Sequence, residues 1–157
     1  MPNFFFAGFN VTGDPAELKR FTDRMFRPVV EADNALPRTE LMFDFNHIIH
    51  MPATAAATNF RDWAIDNWGV VWSAIDLDYR FEEHNVWFQF TTAWDFPTPI
   101  FQALAAEFPS LVIAGSAYEE GHEVEMIGEF GGANDWGPGK IEWILGGPDD
   151  DDDDAED

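Results

Sequence analysis

The stretch AIDLDYRFEEHNVWFQF, residues 74–90, constrains this chain more than any other. Ile75, Leu77, Tyr79 and Phe81 alternate with Asp76, Asp78, Arg80 and Glu82. Successive side chains on a strand point to opposite faces, so the alternation predicts a strand with one face buried and one in water. His84 and Asn85 supply a turn, and the return strand places Val86, Phe88 and Phe90 inward with Trp87 and Gln89 outward. Such a hairpin needs a second layer over its apolar face.

Two helices are available for that layer. In GDPAELKRFTDRMF, Asp14 can cap, Pro15 fits the first helical position and Glu17 suits the first turn. Leu18, Phe21 and Met25 then share one helical face. FPTPIFQALAAEF repeats the signature, with Thr98 as cap, Pro99 at the start, and Ile100, Phe101, Leu104 and Phe108 as its stripe. FFFAGFNV reads as a buried strand, and further strands are expected at SLVIAGSAY, EVEMIGEF and KIEWIL. EEGH is the turn before EVEMIGEF, and GEFGGAND opens a glycine-rich loop before KIEWIL. Residues 28–72 are less regular, punctuated by Pro28, Pro37 and Pro52; there TELMFDFNHII reads as extended and TNFRDWAIDNW as a short helix capped by Thr58 or Asn59.

This succession predicts an α+β, ferredoxin-like β-α-β-β-α-β antiparallel sheet with two helices on one face. It carries an insertion at about 28–72, after the first helix, and extra C-terminal strands. Residues 1–147 form the domain, and the acidic run of 148–157 is expected to be disordered by self-repulsion.

Charge excludes several functions. The chain has 30 acids against 8 Lys and Arg, a formal charge of −22. Residues 81–157 hold 19 of the acids and Lys140 as their one base. Phosphate neutralisation needs Lys and Arg, so direct nucleic-acid binding is not expected. Anionic membranes are repelled, and cationic partners are drawn in. The absence of Cys removes disulfides, thiolate nucleophiles and sulfur-rich metal sites. MPNFFFAGFNV has neither the basic start of a signal peptide nor the length of a span, so a cytoplasmic protein is expected.

Catalytic patterns are missing. Asp44, His47 and His50 raise the question of a metal. On an extended segment, however, a three-residue separation sends the two imidazoles to opposite faces. His84 and His122 fall at turns. Acids are so abundant that a carboxylate pair carries no weight for acid–base chemistry. No nucleophile elbow, phosphate-cradling loop or zinc-protease helix occurs. The chain is read as non-enzymatic, without cofactor or metal.

One surface remains. If Val124, Met126 and Phe130 face the core, Glu123, Glu125 and Glu129 point away from it, after a turn that already bears Glu119 and Glu120. Asp76, Asp78 and Glu82 line the open face of their own strand, beside Trp87 as an aromatic anchor. Same-face side chains recur about every 6.8 Å along a strand. That repeat is of the same order as the phosphates of a nucleic-acid strand. These nine residues are the candidate partner-binding surface, suited to a basic nucleic-acid channel.

Several stretches also form a pattern in series: NVTGDPAELKRF, FDFNHIIHMP, WAIDNWGVVWSA, FQFTTAWDFPTPIFQALAAEFPSL and YEEG. In this order they resemble the YubB ferredoxin-like family, small proteins commonly encoded by phages and plasmids. The resemblance spans roughly residues 10–130. It implies the ferredoxin-like fold and a mobile-element origin, and it implies no chemistry. Where the family usually reads WGTKW, this chain has Val70 and Val71, and IIPMP becomes IIHMP at His50. Trp68 and Trp72 are expected to pack around Gly69.

Mobile elements often need to disarm host nucleases. The leading expectation is therefore an inhibitor of a host nucleic-acid-binding defence protein, of anti-CRISPR or anti-restriction type, acting by charge mimicry. The alternative is a protein- or ligand-binding module that uses the 28–72 insertion, with acidity serving only solubility or salt adaptation.

Overall fold

A computed structural model describes residues 3–28, 41–131 and 139–146. The acidic tail, the loop that GEFGGAND opens beyond Gly131, and the part of the insertion holding Pro37 lie outside the described residues. The fold is mixed α+β. In chain order it runs β1 (Phe4–Thr12), α1 (Pro15–Met25), β2 (Phe26–Pro28), β3 (Leu41–Phe43), a 3-10 turn (Phe45–His47), α2 (Ala53–Thr58) and α3 (Phe60–Trp68). There follow β4 (Ile75–Phe81), β5 (Asn85–Ala93), α4 (Thr98–Glu107), β6 (Val112–Glu119), β7 (Glu125–Gly131) and β8 (Gly139–Leu145).

Six strands make one antiparallel sheet in the order β4-β5-β1-β6-β7-β8, and β2 pairs with β3 apart from it. β1 lies between β5 and β6, with Phe9 opposite both Phe88 and Gly115. Its FFFAGFNV run is buried on one face alone: Phe5, Ala7, Phe9 and Val11 are covered, whereas Phe6 and Asn10 are exposed. Period two fits that outcome better than full burial does.

The core is made largely of phenylalanine. The ring of Phe88 meets Phe21 of α1 at 6.3 Å, Phe101 of α4 at 6.4 Å and Phe43 of β3 at 4.9 Å between centroids. The predicted stripes of α1 and α4 are all buried. Asp14 caps α1 as its spacing requires, accepting from the Ala16 N–H at 3.1 Å. Arg24 of α1 reaches Glu107 of α4 through two donors, at 2.6 and 2.9 Å.

Several local expectations need correction. Thr98 is the first residue of α4 rather than its cap; Pro97 holds the cap position and no side chain accepts there. Asn59 precedes α3 without a capping hydrogen bond, and α2 ends at Thr58 as a separate helix beside the one that the sequence predicts. Among the described residues of TELMFDFNHII, Leu41–Phe43 is strand and stops there, because the Asp44 side chain accepts from the Asn46 N–H at 3.0 Å and turns the chain into the 3-10 segment. Trp72 is 46% exposed and takes no part in a tryptophan cluster with Trp68. Trp68 packs instead on Trp63 and Phe45, and its Nε1–H donates to the Ile49 carbonyl. Gly69 ends α3 at φ 84°, where an added Cβ would lie 2.9 Å from Pro99 Cδ.

Ile75 faces the opposite way from its predicted inward position. It stands opposite Thr91 and is 42% exposed, on the face away from the core. A bulge sets Asp76 and Leu77 against Phe90 alone, with Asp76 at φ 53°. One extra residue reverses the facing of everything before it.

Candidate functional site

Strand register assigns the outward side chains to rows across the sheet. One row runs Ile75, Thr91, Phe6, Tyr118 and Glu125 from β4 to β7. The next runs Asp78, Gln89, Gly8, Ser116, Ile127 and Glu142. The third runs Arg80, Trp87, Asn10, Ala114, Glu129 and Lys140. The centre of this face is aromatic, aliphatic and neutral, and its acids stand at the two sides.

The nine residues named from the sequence divide accordingly. Asp78, Glu125 and Glu129 lie on the face, and Trp87 is half-buried between Arg80 and Asn10. Glu82 lines a hollow of about 290 Å³ with Arg80, Asn85 and Trp87 at one corner. Asp76 borders the face through the bulge.

The other three have different roles. Glu119 is opposite Phe5 on the core side, is 8% exposed, and its Oε1 accepts from the Gly121 N–H. Glu120 closes the end of β1, donating its N–H to the Phe4 carbonyl and accepting from the Phe4 N–H. Glu123 is exposed in the turn before β7 and belongs to no strand.

The turn takes more residues than the alternation suggested, so β7 begins only at Glu125, and Ile127 separates Glu125 from Glu129. These two carboxylates are four residues apart along the strand, about 13–14 Å. An unbroken ladder of carboxylates at every second position is not formed.

Charge is nonetheless uneven between the helices and the sheet face. On α1, Lys19 pairs with Asp23 at 2.8 Å, Arg20 with Glu17 at 2.9 Å and Arg24 with Glu107. Hydrogen bonds from Arg20 hold Glu17 below the usual carboxylate range. On the sheet face, Arg80 and Lys140 stand among Asp78, Glu82, Glu125, Glu129 and Glu142. Acids prevail there.

The centre is built by residues outside the nine, Phe6, Gly8 and Tyr118 among them. Phe6 and Tyr118 face each other across β1 and β6 with ring centroids 5.5 Å apart, tilted by 57°. Below them Gly8 lies between Gln89 and Ser116 and floors a groove of about 400 Å³, with Asp76 on its lip. The glycine inside a strand was the available signal, since such a residue often marks a close approach.

A second hollow, about 300 Å³, lies between α3 and the end of β5, lined by Arg61, Ile65, Trp94 and Asp95 among others. Trp94 has φ 73° and is half exposed. Burial pushes the Asp95 carboxyl above its ordinary value even though the residue as a whole is exposed.

Three of the four histidines meet single acids. His47 Nε2 lies 3.3 Å from Asp44, His84 lies 3.9 Å from Glu83, and His122 lies 2.8 Å from Glu125. Among the described residues no three potential ligands gather for a metal. No helix among them is long and apolar enough to cross a membrane. No known protein family, curated protein or solved structure matches the chain.

Proposed function

We propose that this chain is a non-enzymatic binding protein whose open sheet face engages a basic nucleic-acid-binding host protein and keeps it from its nucleic acid. One observation carries the reading: an exposed face with an aromatic centre, flanked by Asp78 on one side and Glu125, Glu129 and Glu142 on the other. Edge carboxylates speed encounter with a cationic surface, and central aromatics supply the contact that slows dissociation. Mimicry here is of charge density. The interrupted spacing argues against a phosphate-by-phosphate copy.

The strand order β4-β5-β1-β6, with β1 in the middle, fits a ferredoxin-like reading in which α1 and α4 cover the Phe88 side. Kinship with the YubB family, an origin in a phage or plasmid, and action in the host cytoplasm against a defence protein belong to the same proposal and rest on the quoted motifs.

The test is capture of basic proteins from the natural host at low salt, followed by nucleic-acid-binding assays on those captured. The triple variant Asp78→Lys, Glu125→Lys, Glu129→Lys should keep its circular dichroism and lose capture and inhibition. If the folded variant inhibits as well as the parent, the face is not the contact surface. A second reading places binding at the insertion, and the hollow bordered by the exposed Ile65 and Trp94 favours it. Ile65→Lys would then be the damaging change.

A further inference from the structure

Gly8 is a glycine without a structural reason. Its backbone is ordinary strand, and a Cβ added there would meet nothing nearer than Gln89 Cβ at 3.9 Å. Gly115, its diagonal neighbour, differs: a Cβ there would run into the Phe9 Cα at 2.7 Å. Glycine inside a strand costs about 0.5–1 kcal/mol relative to alanine. At Gly115 packing requires that cost; at Gly8 neither packing nor φ does. What Gly8 provides is open space, a floor about 10 Å wide between the flanking strands of Gln89 and Ser116.

The walls of that space have a definite chemistry. Tyr118 and Phe6 give aromatic surface at one end, and the groove reaches Asp76 at its lip. Asp76 is the one ionisable carboxylate among the lining residues, and no Lys or Arg lines the groove. Its position comes from the β4 bulge and a left-handed backbone, φ 53°. Bulges re-aim side chains, and aspartate is one of the few non-glycine residues that enters the left-handed region readily. Gln89 and Ser116 add acceptors on both sides of the floor.

We infer that the groove over Gly8 seats one arginine side chain of the basic partner. This rests on the proposed function and deepens it. A guanidinium has a flat face for Tyr118 and Phe6 and an edge that can take two carboxylate oxygens of Asp76 together, with further donors for Gln89 and Ser116. An ammonium offers a point charge without the flat face, so lysine should fit less well.

The probes are capped tripeptides, acetyl-Gly-Arg-Gly-amide and its lysine counterpart, titrated by NMR into the full chain at low salt. The arginine peptide should bind about five-fold more tightly than the lysine peptide, with shifts centred on Gly8, Gln89 and Ser116. Gly8→Val should fill the floor, leave thermal stability unchanged or raised, and abolish the difference. Asp76→Asn tolerates the same backbone and should weaken the arginine peptide alone. Equal binding of the two peptides, or undiminished arginine binding by either folded variant, overturns the inference. If Gly8→Val still captures basic host proteins while the lysine triple variant does not, the face reading stands and the arginine seat falls. If the triple variant captures but Gly8→Val does not, the groove remains and the acidic sides lose their role.

Discussion

Phe43 and Phe88 stack with centroids 4.9 Å apart and planes inclined by 22°. One comes from the irregular stretch after α1 and the other from the centre of the sheet, and both are fully buried. Phe45 and Trp68 follow Phe43 into the same core. Residues 41–72 are therefore part of what holds the sheet's inner face, and removing them would expose Phe88 and Phe90.

Phe43→Ala should cost about 3–5 kcal/mol, the usual range for a buried phenylalanine. Urea unfolding followed by tryptophan fluorescence and by circular dichroism should shift together. Separate transitions for the two signals would mean that the 41–72 stretch unfolds apart from the sheet.

Gly115→Ala should destabilise by about 1–3 kcal/mol or more, since its Cβ must displace the Phe9 backbone. Gly8→Ala, one strand away, should be neutral or stabilising. Parallel thermal melts of the two variants check the contrast, and equal effects would refute it.

Arg24 and Glu107 tie α1 to α4 through a paired contact whose side chains are 41% and 30% exposed. A double-mutant cycle with Arg24→Ala and Glu107→Ala should return a coupling of about 0.5–1 kcal/mol that falls as salt is added. Coupling that is indifferent to salt would point to packing instead.

Asp95 gives a dependence on pH. Burial raises its folded pKa above the unfolded value, so the folded chain binds this proton more readily. Ionisation then weakens the fold at neutral pH, and the loss is recovered as pH falls through the folded pKa. Asp95→Asn, which keeps an oxygen for the Phe96 N–H, should be slightly more stable than the parent at pH 7. The two should converge only below about pH 4, where the unfolded carboxyl is protonated as well. A constant offset across pH would assign the effect to the hydrogen bond.

With a formal charge of −22, self-repulsion should be relieved by modest salt. Melting temperature should rise mainly below about 0.5 M, where the Debye length contracts from roughly 10 Å toward 4 Å. A steep climb continuing through molar salt would support salt adaptation as the reason for the acids.

The elements legible in the chain were those set by local periodicity. Leu18, Phe21 and Met25 declared α1, and Val86, Phe88 and Phe90 declared the inner face of β5, because 3.6 and 2 are properties of the backbone itself. Asp14 could be read as a cap because capping needs only its own turn. The acidic excess after residue 80 was equally plain, being a matter of counting.

Tertiary structure alone decided which of those acids share a surface. The Asp76 bulge turned Ile75 outward, the turn after Glu119 withheld Glu123 from β7, and Glu119 went to the core side. Each outcome depends on how many residues a neighbouring strand or turn consumes, and a shift of one reverses a side chain's face. The groove over Gly8 is more remote still, since Phe6, Gln89 and Tyr118 become neighbours only when β5 and β6 pair on either side of β1. Alternation told each strand that it has two faces; only pairing told the chain what those faces hold in common.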